Sequence, residues 1–298
     1  MTSIIRKAGN FIKYKIRTIK NSIIISKLRH QDHYRKIVVD KSRKPQLIVS
    51  LTSYKKRFAT LDICLKSLLN QTLLPDHLIL YLCKKDEKYV PNSVKKLEQY
   101  GLEIKFVDLD LKPHKKYYYA MEEYPNDIII TVDDDVIYSK YLIDTLYKTY
   151  KKFPNCIVAA RARKITFKNE KIDSYLNWSL CSDVSNKPSF LFLGTGVGGI
   201  LYPPNLLDLN LLLNLKYINK YITVDDLWLK TVEVLSKVPL VICDKKIDQK
   251  RIEIPSAQDI GLTKQNVDGL ENDINLKSLD KSFDLSLKIK KAEKNYGF

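Results

Sequence analysis

Ile128-Ile129-Ile130-Thr131-Val132 runs without a break into Asp133-Asp134-Asp135. An apolar run with no polar alternation belongs to a strand covered on both faces, as in a parallel sheet with helices above and below. Three adjacent carboxylates then end it, and they repel one another unless a cation or water compensates them. Together the two halves predict a parallel strand whose carboxyl end opens onto a crevice where a ligand sits.

The flanking sequence repeats the theme. Leu47–Leu51, His77–Cys83, Glu103–Val107 and Cys156–Ala160 read as further buried strands. Between them lie helical stretches: one with Leu61, Cys64, Leu65, Leu68 and Leu69 on a common face, then Pro91–Tyr100, Lys115–Tyr124 and Lys140–Lys152. Alternating strands and helices predict an α/β fold with a mainly parallel central sheet flanked by helices. After about residue 160 the pattern turns irregular. Phe190–Leu193 and Leu240–Cys243 read as short strands, Asp226–Ser236 as a helix, and the last 30 or so residues as a polar tail with weak helical periodicity. The expected organisation is an arm over residues 1–45, a domain over 46–245 and a tail over 246–298.

With 298 residues, 45% of them hydrophobic, the chain can bury a full-sized core, which excludes disorder or a disulfide-stapled miniature. Five cysteines and four histidines are scattered with no CxxC pair, so a zinc site is not expected and the thiols read as buried and reduced, in a cytosolic setting. The charge of +17 is unevenly spread. Residues 1–45 hold 13 Lys/Arg against 2 Asp/Glu, the remaining 253 hold 38 against 32. That split argues against a basic stripe for nucleic acid on the folded body, and no nucleic-acid partner is expected. In the arm, Ile4, Ile5, Ala8, Phe11, Ile12, Ile16, Ile19 and Ile23 fall within an arc of roughly 140° when wound as a helix, opposite Arg6, Lys7, Lys13, Arg17 and Lys20. The expectation is a basic amphipathic helix lying on an anionic membrane surface through residues 1–36. Docking of the stripe on the protein's own core is the alternative.

Carboxylates at a strand end suit Mg²⁺ or Mn²⁺, which take oxygen ligands and share them with substrate phosphates. A polar turn capping the next helix is the bland reading. In Thr223-Val224-Asp225-Asp226-Leu227-Trp228, either Asp225 or Asp226 begins a helix as its N-cap, or one of them is a general base aimed at an acceptor hydroxyl. Gly194-Thr195-Gly196-Val197-Gly198-Gly199 contains GxGxxG, but Ile200-Leu201-Tyr202-Pro203-Pro204 cannot open the helix that a dinucleotide fingerprint needs. The glycines instead let backbone approach a sugar ring or diphosphate, or simply make a tight turn. Lys115 and Lys116 are candidates for meeting a diphosphate. Tyr54, Lys56 and Arg57 are placed to contact a base or phosphates, and Tyr117–Tyr119, Trp178 and Trp228 to stack on sugar or base.

The order of these pieces carries a resemblance. Ile48-Val49-Ser50-Leu51-Thr52-Ser53-Tyr54, then Cys64-Leu65-Lys66-Ser67-Leu68-Leu69-Asn70-Gln71-Thr72, resembles the opening of family-2-type glycosyltransferases with the GT-A fold. Asp133-Asp134-Asp135 is similar to their DxD motif, Asp225-Asp226 stands where they usually carry Glu-Asp, and Gly198-Gly199 resembles the small-residue segment on their acceptor side. The resemblance spans about residues 46–245 and implies a Rossmann-like GT-A domain using Mn²⁺ or Mg²⁺ and a nucleotide-sugar donor. Carried over, Asp135 would ligate the metal, with Asp133 touching metal or nucleotide sugar. Thr52, Ser53, Tyr54, Arg57, Lys116 and Asp134 would line the donor site, with Asp86 or Glu87 on the base or ribose. Asp226 would be the base of an inverting transfer, Asp225 the alternative, and Gly198, Gly199 and Trp228 would meet acceptor or sugar. The basic arm would hold such an enzyme at the inner face of the cell membrane beside a lipid-linked glycan acceptor. Two rivals remain from the residues: a Mg²⁺-dependent phosphohydrolase of the haloacid-dehalogenase type, and a non-enzymatic basic module for membrane or nucleic acid. The first normally has Thr two residues after its second Asp, where this chain has Ile137.

Overall fold

The structure is a computed structural model that describes residues 18–181, 187–244, 246–255 and 270–296. Helix α1 (residues 18–30) leads by an extended segment to β1 (Leu47–Thr52) and α2 (Phe58–Leu69). Then come β2 (His77–Cys83), α3 (Asn92–Lys95), prolonged by a 3-10 turn to Tyr100, and β3 (Leu102–Val107). Helix α4 (Lys115–Glu123), β4 (Ile128–Thr131), β5 (Val136–Ile137), α5 (Leu142–Lys152) and β6 (Ile157–Ala159) complete the regular part. A meander through β7 (Ala162–Lys164), β8 (Phe167–Lys168), β9 (Lys171–Ile172) and β10 (Phe192–Gly194) reaches β11 (Ile200–Tyr202). Helices α6 (Leu209–Leu212), α7 (Leu215–Lys220) and α8 (Asp225–Leu235) precede β12 (Leu240–Ile242), α9 (Lys246–Gln249) and β13 (Ile252–Glu253). Two helices, Glu271–Phe283 and Leu285–Tyr296, close the described chain.

Seven strands form the central sheet in the order β12-β6-β11-β4-β1-β2-β3. All neighbours are parallel except at β11, which runs antiparallel between β4 and β6. The sequence reading did not foresee this strand, because Ile200-Leu201-Tyr202 is too short to stand out beside two prolines. Alternate residues of each strand point to opposite faces. Leu47, Val49, Leu51, Ile128 and Ile130 therefore join one core with α2 and α5, while Ile48, Ile79, Tyr81 and Ile129 join a second with α4 and α8. The unbroken apolar strands follow from having both faces covered.

Both ends of the described chain are stitched to this body. From α1 onward, Leu28 and Ile37 enter the core, the Lys66 ammonium donates to the Arg29 carbonyl at 2.9 Å, and Asp76 accepts from the N–H groups of Asp40 and Leu47, each at 2.8 Å, and from Arg43 at 3.0 Å. Ile19 and Ile23 are 60% and 61% exposed, so the stripe does not dock on the core where it is described; the rest of it, residues 4–17, lies outside the described residues. At the other end, Leu276, Leu279, Leu285 and Ile289 are buried against α8. Asp273 accepts from the Ser174 hydroxyl and the Tyr175 N–H, and Glu293 from the Ser189 hydroxyl and the Phe190 N–H. The polar tail thus clamps the meander. Among the described residues no helix is long and apolar enough to cross a membrane, and Cys64, Cys83, Cys156 and Cys243 are free and buried.

The Asp76 carboxylate is wholly enclosed and serves three donors from the segment that enters β1. Asp76→Ala leaves those donors without an acceptor and lowers stability by about 2–4 kcal/mol, read as a fall in the urea midpoint at unchanged slope.

Candidate active site

Strands β1 and β4 end side by side, in register from Leu47 opposite Ile128 to Ser50 opposite Thr131. Parallel neighbours must deliver their next residues to the same edge, so Ser53 to Arg57 and Asp133 to Asp135 share one crevice. The Arg57 guanidinium forks across the triad, pairing with Asp134 and, at 3.2 Å, with Asp135. Asp133 is fixed through its backbone. Its N–H donates to the Tyr138 hydroxyl at 2.8 Å and its carbonyl accepts from the Cys64 thiol at 3.3 Å.

The opposite wall comes from α4 and α8. Ser50 of β1 donates to the Lys116 carbonyl, which holds the first turn of α4 over the sheet. The buried Lys116 ammonium reaches Asp133 at 2.6 Å and Asp225 at 2.9 Å. His114 anchors the other side of that turn. Its Nε2 lies 3.0 Å from the Tyr221 carbonyl, which can only accept, so Nε2 carries the proton and Nδ1 accepts from the Tyr117 hydroxyl at 2.6 Å. Burial pushes His114 down to about 4, and the ring is neutral. Asp226, at the start of α8, accepts the Gly196 N–H on both oxygens at 3.1 and 3.2 Å. A Cβ on Gly196 would stand 2.7 Å from the Lys116 ammonium, 3.2 Å from Asp133 and 3.3 Å from Asp226. A side chain there would have to displace the Lys116 ammonium from its two carboxylates.

Charge sets the protonation. Burial raises Asp134 and Asp135, against the opposing pull of Arg57; with Asp133 beside it, Asp135 reaches about 6. Asp225 is held below the ordinary carboxylate range: burial works against it, but Lys116 and then His114 overcome that. Asp226 is driven well above the range by burial, by Asp225 next to it and by Asp133 across the crevice. Two adjacent carboxylates are thereby split into an ionised anchor and a strong proton acceptor. A dication fits the triad on the chemistry of its donors: the side chains offer carboxylate oxygen alone, and two of them, Asp134 and Asp135, are buried carboxylates with raised affinity for a positive charge. Among the described residues no group of three or more His, Cys, Asp or Glu could hold a metal unaided, so ligands from substrate phosphates would have to complete the shell.

Other residues singled out in the sequence lie as follows. Thr52 closes β1 by donating to the Tyr81 carbonyl at 2.7 Å, Ser53 is buried, Tyr54 is exposed with Arg57 near its ring, and Asp86 is buried in the turn after β2. Lys115 points away and pairs with Asp110 at 2.6 Å. Trp228 is a correction. It is fully buried, stacked on Tyr217 and Tyr221, with its indole N–H donating to the Leu212 carbonyl, and so meets no ligand. Gly198 and Gly199 are closely packed: a Cβ on Gly198 would meet Arg161 at 2.4 Å and one on Gly199 would meet Leu142 at 3.1 Å, and Gly199 adopts φ +91°. Gly196 is the glycine that faces the crevice. No local signal in the cluster distinguishes it, and none marks His114.

Residues 49–197 match the family model described as glycosyl transferase family 2. That is half of the chain, and the chain belongs to this family, whose GT-A architecture is the mixed sheet described above. The phosphohydrolase and the non-enzymatic module are set aside accordingly. No curated protein matches the chain. Among solved structures it is similar to a mannosyltransferase from Pyrobaculum calidifontis in complex with GDP-Man and Mn²⁺, at 9% identity and TM-score 0.43, covering 75% of this chain and 63% of that one. It is similar also to S. aureus TarS 1-349 in complex with UDP-GlcNAc, at 14% identity and TM-score 0.45, covering 66% and 55%. A third is the 4-diphosphocytidyl-2C-methyl-D-erythritol synthase of Anaerococcus prevotii, at 16% and 0.42, covering 72% and 91%. The chain thus spans less than two thirds of the length of the first two.

Lys116→Met removes the cation shared by Asp133 and Asp225, and leaving the buried Asp225 carboxylate unpaired costs about 3–5 kcal/mol at pH 7. Lys116 is what holds Asp225 low against burial; without the ammonium its folded pKa rises above the unfolded one, so the lost stability returns as pH falls and it protonates. Thermal melts of both proteins at pH 7 and pH 5 are expected to show a gap that narrows at the lower pH.

Proposed function

We propose that this chain transfers a sugar from a nucleotide-diphosphate donor to a hydroxyl of a glycan acceptor, with inversion at the anomeric carbon. The observation that supports it most is the single Lys116 ammonium lying within hydrogen-bond reach of both Asp133 and Asp225, which brings the two acidic segments to one crevice with Asp226 facing it. Asp135 and Asp133 would hold Mn²⁺ or Mg²⁺, whose chemistry there is to stabilise the charge that builds on the departing diphosphate. Ser53, Tyr54, Arg57 and Asp134 would line the nucleotide side, with Thr52 shaping the strand end and Asp86 near the base or ribose. Lys116 is a fixed positive charge facing that diphosphate. The acceptor oxygen forms the new bond to the anomeric carbon as the bond to the phosphate oxygen breaks, and its proton passes to Asp226. Gly196 orients that carboxylate through its N–H.

Asp226→Asn should preserve nucleotide binding while turnover falls by a factor of about 10²–10⁴, the usual worth of a positioned base. Asp135→Asn should abolish both transfer and the metal dependence of stabilisation by UDP or GDP. Release of nucleoside diphosphate across a donor panel and thermal shifts with Mn²⁺ read these outcomes; full activity in either variant overturns its assignment. Because Asp226 must be ionised to accept the proton and its pKa is raised, kcat/KM should climb with pH along a limb above the ordinary carboxylate range.

The acceptor is proposed to be lipid-linked, as in surface polysaccharide or lipooligosaccharide assembly, with the enzyme peripheral on the cytoplasmic face of the membrane. Support comes from α1, where Ile19, Ile23 and Ile24 face solvent beside Lys20 and Lys27 while Leu28 turns to the core. Replacing Ile19 and Ile23 together by Glu should release the full chain from anionic vesicles in a flotation assay without changing its melting temperature. Unchanged flotation would move the membrane contact elsewhere.

A further inference from the structure

The segments that carry the glycine turn and follow the triad also carry arginines that the transfer reaction leaves without a task. Arg161 follows β6, and its backbone and side chain bracket the turn: its carbonyl accepts the Thr195 N–H at 3.0 Å and its guanidinium donates to the Thr195 hydroxyl at 2.8 Å. Thr195 precedes the glycine that holds Asp226, so Arg161 is tied to the base side. Arg251 belongs to the metal side. It immediately precedes β13, which pairs antiparallel with β5, directly after the triad, and the Ile254 N–H donates to the Asp135 carbonyl at 3.0 Å. The two guanidinium groups converge on one carboxylate, Asp248, at 3.7 Å from Arg161 and 2.9 Å from Arg251. Arg163 adds a third positive charge, its guanidinium 5.0 Å above the Tyr175 ring.

One carboxylate shared by two guanidinium groups does not use up their donors. Glu253, the other acid in reach of Arg251, stands 3.6 Å away and is largely exposed, and the buried Nη1 of Arg251 makes no hydrogen bond. Burial and the neighbouring Arg251 and Arg163 charges hold Arg161 below its ordinary value despite Asp248, whereas Arg251, against burial, is held above its own by Asp248, so the shared carboxylate serves Arg251 and leaves Arg161 the less compensated. Guanidinium forks match the planar, two-oxygen edge of a carboxylate or phosphate.

We propose that the acceptor carries an oxyanion, phosphate or carboxylate, close to the hydroxyl that reacts, and that Arg161 and Arg251 bind it. The position follows from the two attachments, one beside Asp226 and one beside the triad, which put the pair along the border where an acceptor enters. This rests on the reading that the crevice transfers a sugar.

The test is equilibrium binding to the full chain by calorimetry, with Mn²⁺ and a nucleoside diphosphate present and absent. The probes are a methyl hexoside, the corresponding hexuronate, the hexose 6-phosphate, and inorganic phosphate alone. A charged sugar is expected to bind at least tenfold more tightly than the neutral one, and the two charged arms tell carboxylate from phosphate. Arg161→Gln and Arg251→Gln should each erase that preference, with Arg251→Lys retaining part of it. Melting temperatures of all three variants identify any that fails to fold, and the remaining ones carry the result. Equal binding of charged and neutral sugars, no binding of any probe, or a preference that survives both Gln variants overturns the proposal. Failure of the underlying reading shows separately, as the absence of any Mn²⁺-dependent thermal shift with UDP or GDP.

Discussion

A single buried ammonium organises the active crevice. Lys116 is enclosed by protein, and a lysine in that position is tolerable only if its charge is met at close range. Asp133 and Asp225 meet it, one from the end of a strand and one from the start of a helix nearly a hundred residues later. The buried Asp225 carboxylate would not be stable there without the cation. The pairing therefore fixes the separation of the two walls, and it sends the neighbouring carboxylates in opposite directions: Asp225 is kept ionised while Asp226, left without a cation in contact, gains affinity for a proton.

Much of the scaffold serves to hold that ammonium still. Ser50 fastens the Lys116 backbone to the sheet, and neutral His114 links the start of α4 to the chain just before α8. Behind α8, the aromatic group of Tyr217, Tyr221, Trp228 and Phe283 packs the helix against the C-terminal segment. Acidic residues of that segment, Asp273 and Glu293, grip the irregular meander, so distant polar contacts restrain the wall that carries Asp226.

The sheet was legible in the sequence because burial on both faces leaves a strong mark: β2 matches the apolar run His77–Cys83 residue for residue, and the other parallel strands lie within a residue or two. Asp133 to Asp135 and Asp225-Asp226 stood out because carboxylate clusters are costly and seldom accidental. What could not be read was choice among equals. Three glycines of one turn look alike in sequence, yet two are spent on Arg161 and Leu142 and one faces the crevice. Trp228 beside the acidic pair looked like a stacking platform, but on an 11-residue helix buried on most sides its position faces inward. Strand β11 escaped because three residues between a glycine turn and two prolines carry no periodicity.

The reversed direction of β11 has a consequence for how this chain can vary. Ile200 is held opposite Thr131, so the residues just before it arrive at the catalytic edge by ladder hydrogen bonding and not by the length of the preceding excursion. A change of length in the meander between Lys164 and Phe192 that keeps the clamps at Ser174–Tyr175 and Ser189–Phe190 can therefore leave the contact to Asp226 in place. A one-residue insertion between Gly196 and Ile200 has no such freedom, for it would carry the hydrogen-bond donor of Asp226 out of place. Tolerance to changes of length and strict register are thus assigned to adjacent stretches of the same polypeptide.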